Sequence, residues 1–339
     1  MRSADPACAD IASSLEHYSR PLANLLADAS ITELCLQRPG EVLLERANGW
    51  SCEPAAWATA AWARHFARLV ATATEQRVNA DAPLLSATLP TGERVQIVLP
   101  PATWPDRVAI AIRRPSGRDW SLDELSNGGL FSDCRAATNV ATAEQEMLGR
   151  HFSAADWRAF LSLAVRRKLN ILVSGATGSG KTTLTKALIR EIPEDERLIS
   201  IEDAAELRFE RHVNVVRLFY SKDGQGLARV TPKQLLEASL RLRPDRILLA
   251  ELRGEEAYYF LRNVSSGHPG SITSVHAGSA MLAFEQLALL VKESAAGREI
   301  ALGDIHRLLR QVVDVVVQCE RSSGGRRVQE VWWRDAAGA

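Results

Sequence analysis

The segment Ile171-Leu172-Val173-Ser174-Gly175-Ala176-Thr177-Gly178-Ser179-Gly180-Lys181-Thr182-Thr183 carries the clearest chemistry in the chain. It matches the pattern G-x-x-x-x-G-K-[ST], with an apolar run before it and a helical pattern after it. Glycines let successive backbone amides turn inward and cradle phosphate oxygens. The N-terminus of the following helix adds partial positive charge. In such a loop Lys181 reaches the β- and γ-phosphates, and the Thr182 hydroxyl is placed to ligate Mg²⁺. The segment Gly175–Thr183 therefore predicts a nucleotide site.

Hydrolysis at such a site needs a carboxylate to hold the cation and another to position the attacking water. Two apolar runs end in acids: Ile199-Ser200-Ile201-Glu202-Asp203 and Arg246-Ile247-Leu248-Leu249-Ala250-Glu251. Ligand groups in open α/β sheets gather at the carboxyl ends of strands, so Glu202, Asp203 and Glu251 are all candidates. Glu206 reads equally as a solvated acid. A third group, Ser265-Ser266-Gly267-His268-Pro269-Gly270-Ser271-Ile272-Thr273-Ser274-Val275-His276, brackets a strand with two histidines. A polar residue at such a strand end can sense a γ-phosphate, although a lone histidine is usually structural. Arg94, Arg113, Arg114, Arg241, Arg243 and Arg246 are surface charges by default, yet an arginine supplied from another element is a standard way to stabilise a transferring phosphoryl group.

These residues need two kinds of scaffold. In the first third, residues 14–28 and Trp57–Gln76 read as helices. Trp57, Trp62, Phe66 and Leu69 form a stripe on the second of these that reads as core. Ile31–Gln37, Glu41–Arg46, Leu84–Leu89, Arg94–Val98 and Val108–Ile112 read as strands of an antiparallel sheet, with turns at Arg38-Pro39-Gly40 and Pro90-Thr91-Gly92. Residues 115–153 change character: Gly117, Asn127-Gly128-Gly129 and the polar stretch Ala136–Thr142 read as a linker with one short helix near Ser121–Leu125. From near His151 onward, apolar strands alternate with helices, which predicts a mostly parallel sheet covered on both faces. The expected division is 1–114, an N-terminal α+β domain; 115–150, a linker; and 151–339, the phosphate-loop domain.

The chain has 339 residues, with 41 basic and 41 acidic side chains. That balance disfavours direct nucleic-acid binding by bulk charge, since a protein that grips DNA usually shows a basic excess. Residues 1–139 hold thirteen Arg and no Lys against sixteen acids, and the six Lys all lie later. No apolar run approaches the ~20 residues of a membrane-spanning helix, and the opening residues lack the pattern of a secretory signal. Cys8, Cys35, Cys52, Cys134 and Cys319 have no C-x-x-C spacing, which argues against a zinc site or a disulfide framework and suits a reducing cytosol.

Taken together, four boxes resemble the hexameric traffic ATPases of bacterial type IV secretion systems, relatives of the type II secretion and type IV pilus ATPases. The boxes are Gly175–Thr183, Ile201-Glu202-Asp203, the segment Arg243-Pro244-Asp245-Arg246 through Glu251-Leu252-Arg253-Gly254, and Ser266-Gly267-His268 through His276-Ala277. In the first domain, Leu89–Ile97 and Ile112-Arg113-Arg114-Pro115-Ser116 are also similar. The resemblance spans roughly residues 14–320. It implies a RecA-like fold for the second domain, ATP and Mg²⁺ as substrate and cofactor, and nucleotide held between the two domains of a subunit near its neighbour. It further implies a homo-hexamer of two stacked rings that powers pilus assembly and export of protein or DNA. The resemblance places the protein in the cytoplasm, peripheral to the inner membrane, beside a coupling protein and other ATPases. It assigns Glu251 as the water-positioning base, Glu202 or Asp203 as the Mg²⁺-linked acids, His276 as γ-phosphate sensor with His268 in the same box, and Arg94 and Arg113 as phosphate contacts, with Arg114 the runner-up. The alternative within the superfamily is the motor of a type IV or tight-adherence pilus or of a type II secretion machine. The cysteine spacing cannot make the four-cysteine zinc element of many of those relatives.

Overall fold

A computed structural model describes residues 6–115, 119–134, 142–221 and 226–336, with the side chains of 6–12 left aside. Gly117, Lys222 and most of the Ala136–Thr142 stretch lie outside the described residues.

The N-terminal half is a six-stranded, wholly antiparallel sheet with two helices on one face. The helices are α1 (Pro6–Ala27) and α2 (Ala60–Ala73). The strands are β1 (Glu33–Leu36), β2 (Glu41–Arg46), β3 (Gly49–Pro54), β4 (Leu84–Thr88), β5 (Arg94–Val98) and β6 (Ala109–Arg113), in the order β3-β2-β1-β6-β5-β4. β3 adds an edge strand that the sequence reading did not include. The helix expected over Trp57–Gln76 is shorter because Thr59 caps it, its hydroxyl accepting from Trp62 N at 3.1 Å.

Period-2 alternation gives the two faces of this sheet different jobs. Leu34, Leu36, Val42, Leu44, Ile97, Ile110 and Ile112 pack with Leu22, Trp62, Phe66 and Val70 from the helices. Trp62 stacks on Phe66, with ring centroids 5.1 Å apart, so the aromatic stripe is core. The opposite face carries Cys35, Leu43, Val98, Ala109 and Ala111, mostly small residues, and buries them in the core of the C-terminal half. The sheet is thus docked on the second half through a close, small-residue face. At one end of that face stand Glu33, Glu45, Arg94 and Arg113.

Between the halves lies α3 (Leu122–Asn127), which has no buried residue. A further helix, α4 (Ala143–Ser153), corrects the reading of 115–153 as a linker with a single helix. Its capping box, Thr142 with Gln145, starts the helix, and Leu148 anchors it in the core. With only one buried side chain, its apolar periodicity is too weak to show in the sequence.

The C-terminal half has parallel strands between two layers of helix. Its elements are α5 (Trp157–Arg166), β7 (Ile171–Gly175), α6 (Lys181–Ile189), β8 (Leu198–Glu202), β9 (Val215–Phe219), α7 (Pro232–Ser239), β10 (Arg246–Leu249), α8 (Glu256–Ser265), β11 (Ile272–Val275), α9 (Ala280–Glu293), α10 (Leu302–Val312), β12 (Val315–Ser322) and β13 (Gly325–Trp333). Two hydrogen-bonded sheets, β10-β8-β9 and β11-β7-β12-β13, abut along β10 and β11. Serines stitch that seam: Ser271 Oγ donates to Ile247 O (2.7 Å), Ser274 Oγ to Ala250 O (2.9 Å), and Leu252 N to Ser274 O (2.8 Å). Among the described strands of this half, only β13 runs antiparallel, as a hairpin with β12. No helix among the described residues is long and apolar enough to cross a membrane.

Two fully buried arginines brace this half. Arg246 forms a bidentate pair with Glu196 (2.7 and 2.8 Å) and donates to Val165 O (2.7 Å), tying the start of β10 to the end of α5. Arg197 donates to Leu242 O (2.7 Å) and to Gln37 Oε1 (2.8 Å), reaching across to the first half. Burying a guanidinium is tolerated only while its partners are in place. Glu196→Ala strands the Arg246 charge, and we expect it to lower stability by about 3–5 kcal/mol. Urea unfolding checks this; a loss under about 1 kcal/mol would show that the pair is dispensable.

Candidate active site

The phosphate loop joins β7 to α6 in the way its glycines require. Gly175, Gly178 and Gly180 have φ of 152°, 76° and 103°. A side chain at Gly175 would collide with the Cys319 carbonyl and with Ser179 Oγ. Lys181 opens α6 with its ammonium folded back over the loop, donating to Gly175 O (2.8 Å) and Ala176 O (3.3 Å). Ser174 Oγ, Ser179 Oγ and Thr185 Oγ1 are buried around it with no hydrogen-bond partner among the described residues. Unpartnered donors, an inward-turned loop and a lysine whose ammonium is turned to the loop's own carbonyls fit a phosphate chain.

Three strands deliver their C-terminal residues to this loop. Glu251 follows β10, His276 follows β11 and Asp203 follows β8. The His276 ring lies alongside the lysine and the acid and reaches both: Nδ1 is 3.2 Å from Lys181 Nζ, and Nε2 is 2.7 Å from Glu251 Oε1. An ammonium can only donate, so Nδ1 accepts and the proton of a neutral ring sits on Nε2; Glu251 Oε1, though close to it, has no aligned hydrogen bond among the described residues. Lys181 Nζ itself is 4.0 Å from Glu251 Oε1. Arg253 donates to Glu251 Oε2 (2.6 Å) and to Asp203 Oδ2 (2.7 Å), joining the two acids. The result is a charge-alternating chain, Lys181–His276–Glu251–Arg253–Asp203. Burial pulls the Lys181 ammonium below its ordinary pKa, and Glu251 acts in the opposite direction. Thr177, Gly178, Lys181, Thr182, Asp203, Glu206, Glu251, Arg253 and His276 all line one open pocket.

The structure separates residues that the sequence grouped. Glu202 is fully buried and does not line this pocket. Its carboxylate accepts from Ser200 Oγ (2.6 Å), Leu207 N (2.9 Å) and both Nε and Nη2 of Arg217 (2.8 and 2.7 Å), which ties β8 to β9. Asp203, the next residue, is turned to the pocket. His268 stands apart from His276, in a groove with Glu45, Arg243 and Pro244, where burial and then Arg243 depress its pKa. Arg94 and Arg113 are directly opposed across β5 and β6 and line a different cavity, with Glu33, Arg241 and Arg243. Arg114 lies in the His268 groove.

Sequence reasoning gave Arg253 no role. Its signal was present, a base two residues beyond the strand-end acid. Arg321 and Arg326, which lie against the loop, left no local signal.

No three carboxylate, imidazole or thiolate groups cluster into a metal cage among the described residues. A cation here would be held by the Thr182 hydroxyl and Asp203 together with phosphate oxygens and water, the usual habit of Mg²⁺.

A parallel core in the strand order of a RecA-like domain, with a phosphate loop, a strand-end glutamate and a strand-end histidine, defines a P-loop ATPase. A family profile described as "Type II/IV secretion system protein" matches residues 16–335, and the chain belongs to that family. Within it, the chain is 46% identical over 324 residues to the type IV secretion system protein VirB11 of Bartonella quintana, covering 92% of this chain and 91% of the relative. It is 44% identical over 337 residues to VirB11 of Brucella suis, covering 97% and 92%. The crystal structure of the Brucella suis VirB11 ATPase in complex with sulphate superposes with a TM-score of 0.93 at 42% identity, covering 98% of each chain. The chain is thus a traffic ATPase of the type IV secretion class.

The second cavity yields its own expectation. Burial pushes the Glu33 carboxyl up to about 7, partly opposed by Arg197. Its unfolded value is near 4.5, so the folded chain binds more protons between those values. Stability from this group is complete below about pH 4.5 and is lost as pH rises through about 7. Glu33→Gln should remove that loss. Denaturation at pH 6 and pH 8 checks it: the variant should gain on the wild type at pH 8 relative to pH 6, and an equal difference at both would refute it.

Proposed function

We propose that this chain is a Mg²⁺-dependent ATP hydrolase working as a homo-hexamer. It powers pilus assembly and export of protein or DNA through a type IV secretion system. We place it on the cytoplasmic side of the inner membrane, held peripherally by a coupling protein and other ATPases of the same machine, with residues 1–114 moving as one unit and the C-terminal half, from α4 onward, as another. The kinship with VirB11 proteins supports this setting, and the charge balance argues that cargo DNA is gripped elsewhere.

One observation carries the catalytic reading: Lys181, Glu251 and His276 converge at the loop, with Lys181 Nζ 4.0 Å from Glu251 Oε1 and the His276 ring within reach of both. Phosphate oxygens compete for Lys181 with the Gly175 and Ala176 carbonyls and with Nδ1 of His276. Once Lys181 turns to the β- and γ-phosphates, the ring is left to report on the γ-phosphate. Glu251 is then free to orient a water and accept its proton as phosphorus is attacked in line. Arg253 holds the other Glu251 oxygen and keeps the carboxylate aimed. Mg²⁺, when bound at Thr182 and Asp203, would neutralise charge on the phosphates. Glu202 acts one step back, by fixing the strand end that presents Asp203.

Arg94 and Arg113 do not border this chain's own phosphate loop. We assign them to the nucleotide of a neighbouring subunit, where an arginine pair would stabilise charge on the leaving phosphates.

Glu251→Gln should bind ATP with near-normal affinity while kcat falls about 10²–10⁴-fold. Lys181→Ala should lose both binding and turnover. Turnover by either variant within a few-fold of wild type would end the motor reading. The arginine assignment has a separate check. Mixing Arg113→Ala protein with Lys181→Ala protein should restore ATPase activity that neither shows alone, because some interfaces then hold an intact loop and an intact arginine. No restoration in mixed hexamers would place the arginines in their own subunit's site.

A further inference from the structure

The β12–β13 hairpin runs beside the phosphate-loop strand, with Cys319 in register with Gly175. Its tip therefore overhangs the loop, on the side of β7 away from β11 and Glu251. Arg321 and Arg326 are directly opposed near that tip. Like charges directly opposed across a hairpin disfavour it. Neither has a carboxylate within ion-pair distance among the described residues. The neighbouring pair on the other face, Glu320 with Arg327, is compensated by an ion pair of 2.7 Å.

Both arginines face the loop. Arg326 Nε donates to Gly178 O (3.2 Å). A Cβ placed on Gly180 would come within 3.2 Å of Arg326 Cδ, and one on Gly178 within 3.8 Å of Arg321 Nη1. Two exposed guanidinium groups are thus held together over a phosphate-binding loop, with only a backbone carbonyl as acceptor. A guanidinium in this position suits phosphate oxygens far better than a carbonyl.

We propose that Arg321 and Arg326 are substrate-binding residues that clasp the α- and β-phosphates of the bound nucleotide from the side opposite Glu251. The inference rests on the nucleotide reading of the loop. Glu251 and His276 mark the γ-phosphate end, so the hairpin side meets the phosphates nearer the ribose. Phosphate oxygens replace the Gly178 carbonyl as acceptor and relieve the repulsion between the two arginines. Both nucleotide and product are held this way, so the contact serves affinity and ADP retention more than the chemical step.

The test uses the full-length protein. Wild type, Arg321→Ala, Arg326→Ala and the double variant are titrated with MgADP and with inorganic pyrophosphate, and kcat and KM for ATP are measured alongside. We expect each single variant to weaken both ligands several-fold and the double variant to weaken them at least tenfold. The KM should rise in parallel, kcat should stay within about threefold, and Tm should be unchanged. A double variant that binds MgADP within twofold of wild type overturns the proposal. So does weakening of MgADP without weakening of pyrophosphate, which would mark a contact to the nucleoside. An effect confined to Arg326→Ala would mark a brace for Gly178 and also overturn the pair. If wild type itself binds neither ligand, the nucleotide reading fails and not the hairpin assignment alone.

Discussion

Everything around the loop answers one electrostatic constraint: an ammonium group must be held partly out of water, beside a carboxylate, without collapsing onto it. Direct contact between Lys181 and Glu251 would be favourable in a site of low dielectric, and it would also disable both. The protein prevents it by spacing. Gly175 and Ala176 carbonyls occupy the ammonium, Nδ1 of the His276 ring beside it accepts from it as well, and Arg253 holds the far oxygen of Glu251. Lys181 is therefore available to phosphate at little cost, since what it gives up are neutral acceptors.

That spacing depends on where three strand ends stop, which the surrounding fold sets. The seam serines fix β10 against β11, and so Glu251 against His276. Arg246 with Glu196 anchors the other end of β10. Glu202, neutralised by Arg217, fixes the end of β8 and turns Asp203 outward. The small-residue face of the first sheet lies on the same core, so movement of the first half bears directly on the layer that carries the site. Such a layout suits a motor in which phosphate contacts and domain position are coupled.

Much of this was legible in the sequence, and the reasons are physical. The loop, the apolar strands ending in acids and the two long boxes are local patterns, because backbone geometry at a phosphate forces residue types at fixed spacing. The two sheet types follow from short alternating strands in one half and continuous apolar strands in the other. What stayed hidden depends on distant partners. Glu202 and Asp203 are adjacent acids, and only Arg217, on another strand, decides which of them faces the site. Arg94 and Arg113 share a motif with the family but a cavity with Arg241 and Arg243. Arg321 and Arg326 sit far from every motif and reach the loop only through the register of β12 on β7. Helix α4 was missed because its one buried residue, Leu148, leaves almost no period to read.

On this mechanism, nucleotide takes Lys181 out of the Lys181–His276–Glu251 chain. A structure of the protein with a non-hydrolysable ATP analogue tests it most directly. Lys181 Nζ should leave Gly175 O and His276 Nδ1 for the β- and γ-phosphates, with Glu251 still held by Arg253 and facing the γ-phosphate. A bound analogue with Lys181 still donating to Gly175 O and His276, or with Glu251 turned away from the phosphates, would contradict it.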